Sequence, residues 1–389
     1  MSDRDKLTYW ELRAVRNEQR AHDQANDKVQ RIARAYTRSQ AYLTDEVNKI
    51  YKRYFGNGQF TADQVNDILN TTVSPSELVT LSALAQNISD VQSKKQVIDY
   101  LSALAAKGRI TQLEELQAKA YIAAKRAGAV EIRESTNLYT QVIQDAWNQA
   151  NAESIIGKVT QDVHLYEKGY TPELNKADKT IKIVNPETGK TITTVKAIPD
   201  KEIQSFKQLS SDYVNQTLKK HLYNENYSQR IWHNTDKLAD RLDELFTAQA
   251  MSGMTEHDMA HAIEKEFNTS IFNANRLVKT EANYFHNQTK LDGWKQRGVK
   301  EYQLVAVLDN RTSQICRNID GRVFKVSEAI VGKTLPPMHP HCRTTAIIYF
   351  KNSPYVGTRT ANNPNTKTTF QLKQDKTYHD WEQIINQSK

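Results

Sequence analysis

The residues best suited to chemistry lie near the C-terminus, in two segments that contain the only two cysteines of this 389-residue chain. Residues 309–316 end in Cys316, and residues 335–343 read Leu-Pro-Pro-Met-His-Pro-His-Cys-Arg. Thiolate and imidazole are the ligands that tetrahedral zinc prefers, and prolines stiffen a loop because they fix a backbone dihedral angle. We therefore predict a structural zinc site whose ligands are Cys316, His339 and Cys342.

Several alternatives to this ligand set are open from sequence alone. His341 competes with His339, although adjacent residues seldom reach one metal ion comfortably. Asp309 or Asp320 could supply an oxygen as the fourth ligand. The same residues could instead form a hydrogen-bonded corner of the structure, or the two cysteines could oxidise to a disulfide. Catalytic zinc needs an open position and a paired base. Neither is identifiable, so we predict no catalytic residue.

A second pair of potential ligands lies upstream, where His257 and His261 are one helical turn apart. This spacing is that of the HExxH zinc proteases, but Asp258 replaces the glutamate and shortens the would-be base. Thr255 and Asp258 together are typical of a helix start. We predict a helix cap here and no metal site.

A third polar cluster comprises Arg276, Thr280 and Glu281, about one turn apart on a predicted helix. These side chains would form ordinary surface pairs, or would support the metal loop if their helix packs on it. The Glu-x-Glu sequence at 264–266 lies deep in a predicted helix, which disfavours ADP-ribosyltransferase activity. The chain has no GxxxxGK[ST], GxGxxG or GxSxG motif, so we predict no cofactor-binding residue.

Composition and charge bound the class of protein. The net charge of +8 and a pI near 9.1 are compatible with contact to nucleic acid, so non-specific DNA is one candidate partner. No apolar run approaches the roughly 18–20 residues that cross a bilayer, and we predict no membrane contact. No apolar stretch follows residues 1–6, so we predict no signal peptide. Two cysteines without an export signal indicate a reducing compartment.

The spacing of apolar residues predicts a mainly α protein, with a long helical N-terminal region followed by a small α+β C-terminal module. Between residues 7 and 55, apolar side chains recur every three or four positions, as on an amphipathic helix. Capping signals at Thr61 and Ser74 start further helices, and the run that begins at Ser74 ends at Gly108. A helix that starts at Thr111 should reach about Ala152.

Changes in this pattern divide the chain into five segments. Residues 1–156 form a helical N-terminal region, and residues 157–200 form a β-hairpin insertion or linker on a Pro/Gly turn. Residues 201–298 form a helical domain. Residues 299–352 form the small α+β module, with three strands and the Cys/His loop. Residues 353–389 form a flexible linker rich in Asn, Thr and Pro, and a short amphipathic terminal helix that is free or docked on a partner.

Spaced elements between residues 276 and 345 resemble a family signature. They are Arg276-Leu-Val-Lys-Thr-Glu281, Leu308-Asp-Asn-Arg-Thr-Ser313 with Cys316, Asp320-Gly-Arg-Val-Phe324 and Pro336-Pro-Met-His-Pro-His-Cys-Arg-Thr-Thr345. In this order they resemble the phage head-morphogenesis, or minor capsid, protein family, which has the Mu F-like domain. Upstream, residues 227–232 are similar to the helical lead-in of members from Gram-positive phages.

The resemblance implies a low-copy virion component that is associated with the portal and acts in procapsid assembly, DNA packaging or DNA delivery. Its implied partners are the phage portal protein and capsid or scaffold proteins. Its implied location is the phage head interior or the portal vicinity, with the host cytoplasm during assembly. We predict that it is not an enzyme. The rival hypothesis is an ADP-ribosyltransferase or nuclease-type effector that uses the C-terminal module.

The family positions can be placed on this chain residue by residue. Its Cys, Asp-Gly, Pro-Pro, His and Cys-Arg positions fall on Cys316, Asp320-Gly321, Pro336-Pro337, His339 and Cys342-Arg343. Two departures matter. Thr344 stands where many members have a further cysteine, which lowers the number of thiolates. Lys279 stands where many members have arginine before the Thr-Glu pair.

Overall fold

The computed structural model describes residues 9–55, 60–161, 171–175, 177, 180–184, 188–195, 209–349, 358–373 and 376–387. Most of these residues are helical, and the strands are short and antiparallel. This confirms the predicted fold class, mainly α with a long helical N-terminal region and a small α+β C-terminal module. Residues 1–6, where no signal peptide was predicted, and residues 185–187 of the predicted Pro/Gly turn lie outside the described ranges.

The chain divides into two compact units. The helical unit comprises Ala25–Leu138 and Lys219–Val278, and the mixed unit comprises Met1–Gln24, Tyr139–Leu218 and Lys279–Lys389. The five-segment division predicted from sequence stays a prediction. In the part of the chain that the structure describes, none of the helices could span a lipid bilayer.

The first part of the chain is a series of helices. They are α1 Tyr9–Ile50 with a π-helical turn at Tyr51–Phe55, α2 Ala62–Leu69, α3 Ser76–Gln86, α4 Val91–Ala105 and α5 Gln112–Gln161. Helix α2 has the predicted capping box between Thr61 and Gln64. The run predicted from Ser74 to Gly108 is instead two helices, because the Asp90 carboxylate accepts a hydrogen bond from Ser93 N at 2.7 Å and starts α4.

Further helices and strands follow. They are β1 Thr171–Asn175, β2 Thr180–Val184, β3 Thr191–Val195, α6 Ser211–Leu218, α7 Tyr227–Leu245, α8 Ala248–Gly253, α9 Glu256–Arg297, β4 Glu301–Val305, α10 Gln314–Ile319, β5 Val323–Lys325, β6 Thr345–Ile348, β7 Thr358–Asn363, β8 Thr368–Lys373 and α11 Tyr378–Gln387. Strands β2 and β3 form the predicted antiparallel hairpin, and β1 adds a third strand.

The core of the helical unit forms between α3, α4 and α5. Its buried residues are Leu81, Ala85, Ile88, Val97, Leu101, Leu104, Ile110, Ala118, Ile122 and Ala129. A glycine allows α5 to approach α7 closely, since a Cβ on Gly128 would lie 2.5 Å from Thr235 Cγ2. Burial of this apolar surface stabilises the unit far more than the intrinsic propensity of its helices does.

The small sheet of the mixed unit has the strand order β5-β4-β6, and every pair is antiparallel. The three predicted strands are therefore confirmed. Helix α9 packs closely on α5 in this unit, because Gly293 leaves no room for a side chain: a Cβ there would lie 2.8 Å from Ala150 Cβ. The buried cluster around the sheet includes Trp294, Tyr302 and both cysteines.

The segment predicted as a flexible linker contains a regular hairpin. Strands β7 and β8 pair in register over six residues each, from Thr358↔Lys373 to Asn363↔Thr368. Threonine is β-branched and suits a strand, and Ala361 and Leu372 of the hairpin are buried. Helix α11 is not free, because Tyr378, Trp381 and Ile385 are buried in a cluster with Leu308 and the hairpin. These long-range contacts are invisible to a composition-based interpretation.

Candidate metal centre

Two elements bring the three predicted ligands together. Helix α10 carries Cys316, and the proline-rich loop before β6 carries His339 and Cys342. Their ligand atoms all lie within 4.8 Å of one another. Cys316 Sγ is 3.2 Å from His339 Nε2 and 3.7 Å from Cys342 Sγ. The structure thus assembles a group that could hold a metal ion.

The spacing of the two sulfurs fits a tetrahedral ion, while the three ligand atoms together lie within 4.8 Å of one another. With zinc–sulfur and zinc–nitrogen bonds of ordinary length, tetrahedral ligands lie about 3.8 Å apart for two sulfurs and about 3.6 Å apart for sulfur and nitrogen. The observed 3.7 Å between the sulfurs agrees with the first value, and the observed 3.2 Å is slightly short of the second. The two sulfurs are free thiols, so no disulfide joins them.

The backbone sets the tautomer of His339. Its Nδ1 lies 2.7 Å from the carbonyl oxygen of Pro340, and since a carbonyl only accepts, Nδ1 must carry the proton. The lone pair is then on Nε2, the nitrogen that faces Cys316. A carbonyl on the outer nitrogen is the usual second contact of a metal-bound histidine.

The thiols differ in acidity because they share a hydrogen bond. The Cys316 thiol and the backbone of Met338 and Thr344 donate to Cys342, which lowers the pKa of Cys342 to about 7 in spite of burial. The pKa of Cys316 is raised, first by this hydrogen bond and then by burial. Cys342 therefore offers a thiolate near neutral pH, the form that binds metal.

Burial argues against a catalytic cysteine. Reactive thiolates are partly exposed, whereas Cys316 is 1% exposed and Cys342 is 4% exposed. Ser313 Oγ lies 2.7 Å from His339 Nε2, but the same oxygen accepts a hydrogen bond from Cys316 N and starts α10. The geometry favours a structural centre.

Neither aspartate proposed as the fourth ligand joins the group. Asp309 accepts two hydrogen bonds of 2.6 Å from the Arg343 guanidinium, and Asp320 is paired with Arg359 at 2.7 Å. His341 is also outside the group. Its φ is 58°, and its backbone N donates to Thr280 Oγ1 at 3.1 Å. Two side-chain hydroxyls contact the ligand atoms instead: Ser313 Oγ lies 2.7 Å from His339 Nε2, and the Thr344 side chain hydrogen-bonds to both cysteines.

A row of polar side chains on α9 fixes the loop and the strand that follows it. We call Thr280, Asn283, Asn287 and Lys290 the polar ladder. Thr280 accepts from His341 N, and Asn283 Nδ2 donates to Thr344 O at 3.0 Å. Asn287 Oδ1 accepts from Ala346 N at 3.0 Å, and Lys290 Nζ donates to Ala346 O at 2.7 Å. The ladder thus supplies partners to the edge of β6 that β4 leaves free.

Thr280 is the only residue of the polar ladder for which the sequence predicted a role. Thr280 was predicted to support the loop if its helix packed there, and it does. Arg276, predicted with it, is exposed, while Glu281 is fully buried. The available signal was the spacing of four polar residues at 280, 283, 287 and 290, which places them on one helix face. A row of polar residues on one helix face is ordinarily solvent-exposed, and the spacing alone does not show that this row is buried.

Asn287 offers a direct test of the polar ladder. Asn287→Ala should lower the free energy of unfolding by about 1–3 kcal/mol, because the buried N–H of Ala346 loses its acceptor. Urea unfolding followed by circular dichroism measures this. Gln288→Ala is the matched control, since that side chain donates a hydrogen bond to Asp292 on the same helix. Equal stability of the two variants would contradict the assignment.

The other candidate sites have structural roles. Asp258 Oδ2 accepts hydrogen bonds from Thr255 N and Thr255 Oγ1, which confirms the predicted helix cap. His257 and His261 are exposed on the first turns of α9. The Glu-x-Glu at 264–266 is helical, and its Glu266 pairs with Arg241 at 2.5 Å.

Comparison with known proteins gives one match. Residues 240–347 match the family model described as Phage Mu protein F like protein. The matched region contains all three ligands and the whole polar ladder. It begins after residues 227–232, so the Gram-positive type stays a prediction. No curated protein and no solved structure matches the chain significantly.

Proposed function

We propose that this chain, whose residues 240–347 belong to the Mu F-like family of phage head-morphogenesis proteins, is a minor capsid protein present in few copies per virion. It would associate with the portal and with capsid or scaffold proteins during procapsid assembly, and act in assembly, DNA packaging or DNA delivery. It would occupy the host cytoplasm during assembly and then the phage head. The family match is the observation that carries this proposal.

The metal centre supports a structural role for the matched region. Cys316, His339 and Cys342 would hold a zinc ion that ties α10 to the loop before β6. Both thiols of the centre are buried, and Asp309 and Asp320 are paired with Arg343 and Arg359, which supports a structural rather than a catalytic centre. No observation favours the effector-enzyme alternative, and contact with DNA stays a prediction from net charge.

Co-assembly tests the head-morphogenesis role. The protein is expressed with the portal protein and the major capsid and scaffold proteins of its own phage, and the procapsids are separated on a gradient. We expect the chain to sediment with procapsids only when the portal protein is present. Sedimentation as free protein in every combination would contradict the proposal, as would turnover of NAD by the purified wild-type chain.

Zinc content tests the metal centre. We expect about one zinc ion per chain, and at free zinc 1,000 times Kd the ion should stabilise the fold by about 4 kcal/mol. Chelation should therefore lower the melting temperature, and Cys316→Ser should remove both the zinc and the effect of chelation. His341→Asn is the matched control, since it changes the neighbouring histidine and keeps a residue that tolerates positive φ. If His341→Asn lost the zinc while Cys316→Ser kept it, the ligand assignment would be wrong.

A further inference from the structure

We infer that the C-terminal segment, residues 358–373 and 376–387, positions helix α10 and with it the metal ligand Cys316. This inference rests on the metal centre proposed above. The C-terminal segment would then help to position a metal ligand, although the segment lies beyond residue 347, where the family match ends.

Helix α10 needs external support. It has six residues, and helices shorter than about 12–15 residues are marginal by themselves because nucleation is costly. Its outward residue Ile315 is 53% exposed, so the apolar packing of the helix is one-sided. Contacts at its two ends therefore decide where Cys316 lies.

The C-terminal end of α10 is held through Asp320. The guanidinium of Arg359, on β7, donates to both carboxylate oxygens at 2.7 and 3.0 Å. Tyr378 N, at the start of α11, donates to the same carboxylate at 2.7 Å. The Asp320 side chain is 0% exposed and the Arg359 side chain is 6% exposed, so the pair is almost free of solvent screening.

The N-terminal end of α10 is held by the same segment. Tyr378 Oη donates to the carbonyl of Asp309 at 2.9 Å. The carboxylate of Asp309 is paired with Arg343, and Arg343 follows Cys342 in the chain. Tyr378 thus contacts the connections at both ends of α10, through its backbone and its hydroxyl.

The middle of α10 is held through Arg317, the residue after the ligand. Its guanidinium lies over the ring of Tyr378, 4.8 Å from the centroid, and Nη1 is 3.2 Å from Glu382 Oε1 on α11. Its Nε donates to Thr312 O at 2.7 Å. A metal site works only when its ligands are held within about 0.5 Å, and this set of contacts restricts Cys316.

Two variants test the inference in the full-length protein. Arg359→Met removes the guanidinium, and Tyr378→Phe removes only one hydroxyl and keeps the ring. Gln371→Ala is the control on the same hairpin, where an exposed side chain contacts Thr360. Two readouts are taken: zinc affinity by competition with a chromophoric chelator, and the rate at which the metal-free thiols react with Ellman's reagent.

We expect zinc affinity to fall roughly 10-fold in Arg359→Met, as for other residues that support ligands, and roughly threefold in Tyr378→Phe, the effect of one hydrogen bond. The thiol reaction should accelerate in the same order, with the control unchanged. If Arg359→Met does not fold, the result for Tyr378→Phe is by itself sufficient to test the inference. Wild-type affinity and wild-type thiol rate in a folded Tyr378→Phe would overturn the inference.

Failure of the metal proposal gives a different result. A wild-type chain that binds no zinc would refute the metal centre. The thiol rate would still report on the position of Cys316, and faster reaction in the two variants would support the inference without the metal.

Discussion

Replacing Asp320 with alanine is expected to lower the free energy of unfolding of the mixed unit by about 3–5 kcal/mol, the cost of breaking a buried ion pair. The carboxylate accepts from Ala306 N as well as from Arg359 and Tyr378 N. Its removal leaves the Arg359 guanidinium buried without its anion. Urea unfolding with a probe for the mixed unit, such as near-ultraviolet circular dichroism of its tryptophans, measures the loss.

Two comparisons test this explanation of the Asp320 effect. Glu328→Ala breaks a pair with Lys325 whose side chains are 66% and 63% exposed, and it should cost under about 1 kcal/mol. The double variant Asp320→Ala with Arg359→Met should cost less than the sum of the two single variants, because no charge is then left unpaired. Additive losses, or a loss at Asp320 as small as that at Glu328, would show that the pair does not hold the segment.

Replacing Glu131 with glutamine is expected to stabilise the helical unit in a pH-dependent way. Glu131 is 1% exposed, and burial raises its pKa to about 7 although Tyr36 Oη donates to Oε2 at 2.7 Å. A buried carboxyl with a raised pKa favours the fold when protonated. Its contribution is full below the ordinary pKa of 4.5, declines as pH rises to about 7, and is constant above that.

The expected size follows from this shift. From pH 5 to pH 8 the wild type should lose about 2.5 kcal/mol relative to Glu131→Gln, since each pKa unit corresponds to about 1.4 kcal/mol. Urea unfolding at a series of pH values measures the difference. A constant difference would contradict the raised pKa.

Glu134 is the matched control, three residues along the same helix. Burial raises its pKa, but Lys28 at 3.0 Å and Arg133 outweigh burial and hold the pKa below its usual value. The stability that Glu134 contributes is present above its unfolded pKa and lost as pH falls. Glu134→Gln should therefore destabilise the protein near neutral pH, opposite in sign to Glu131→Gln.

Local information in the sequence was enough to predict the helices and to single out the Cys/His group that the structure brings together. Apolar spacing predicted α1, where Ile32, Tyr36, Leu43 and Val47 are buried as an amphipathic stripe requires. Residue type and a proline-rich loop predicted Cys316, His339 and Cys342 as ligands, because thiolate and imidazole suit tetrahedral zinc. The order of the surrounding motifs indicated the resemblance to the family whose model matches residues 240–347.

Partners and burial were decided only by the tertiary structure. Composition predicted a linker where the hairpin of β7 and β8 lies. From sequence, Asp320 was one of two aspartates that could supply a fourth ligand, but its carboxylate is paired with Arg359, 39 residues away in sequence. Glu131 and Lys290 lie on helices, where charged side chains are usually exposed, and both are buried. Whether a segment is helical, and whether its residue types suit metal binding, can be predicted from residues close by in the sequence. The ionisation of a carboxylate and the partner of a strand edge depend on atoms that only the folded chain brings near.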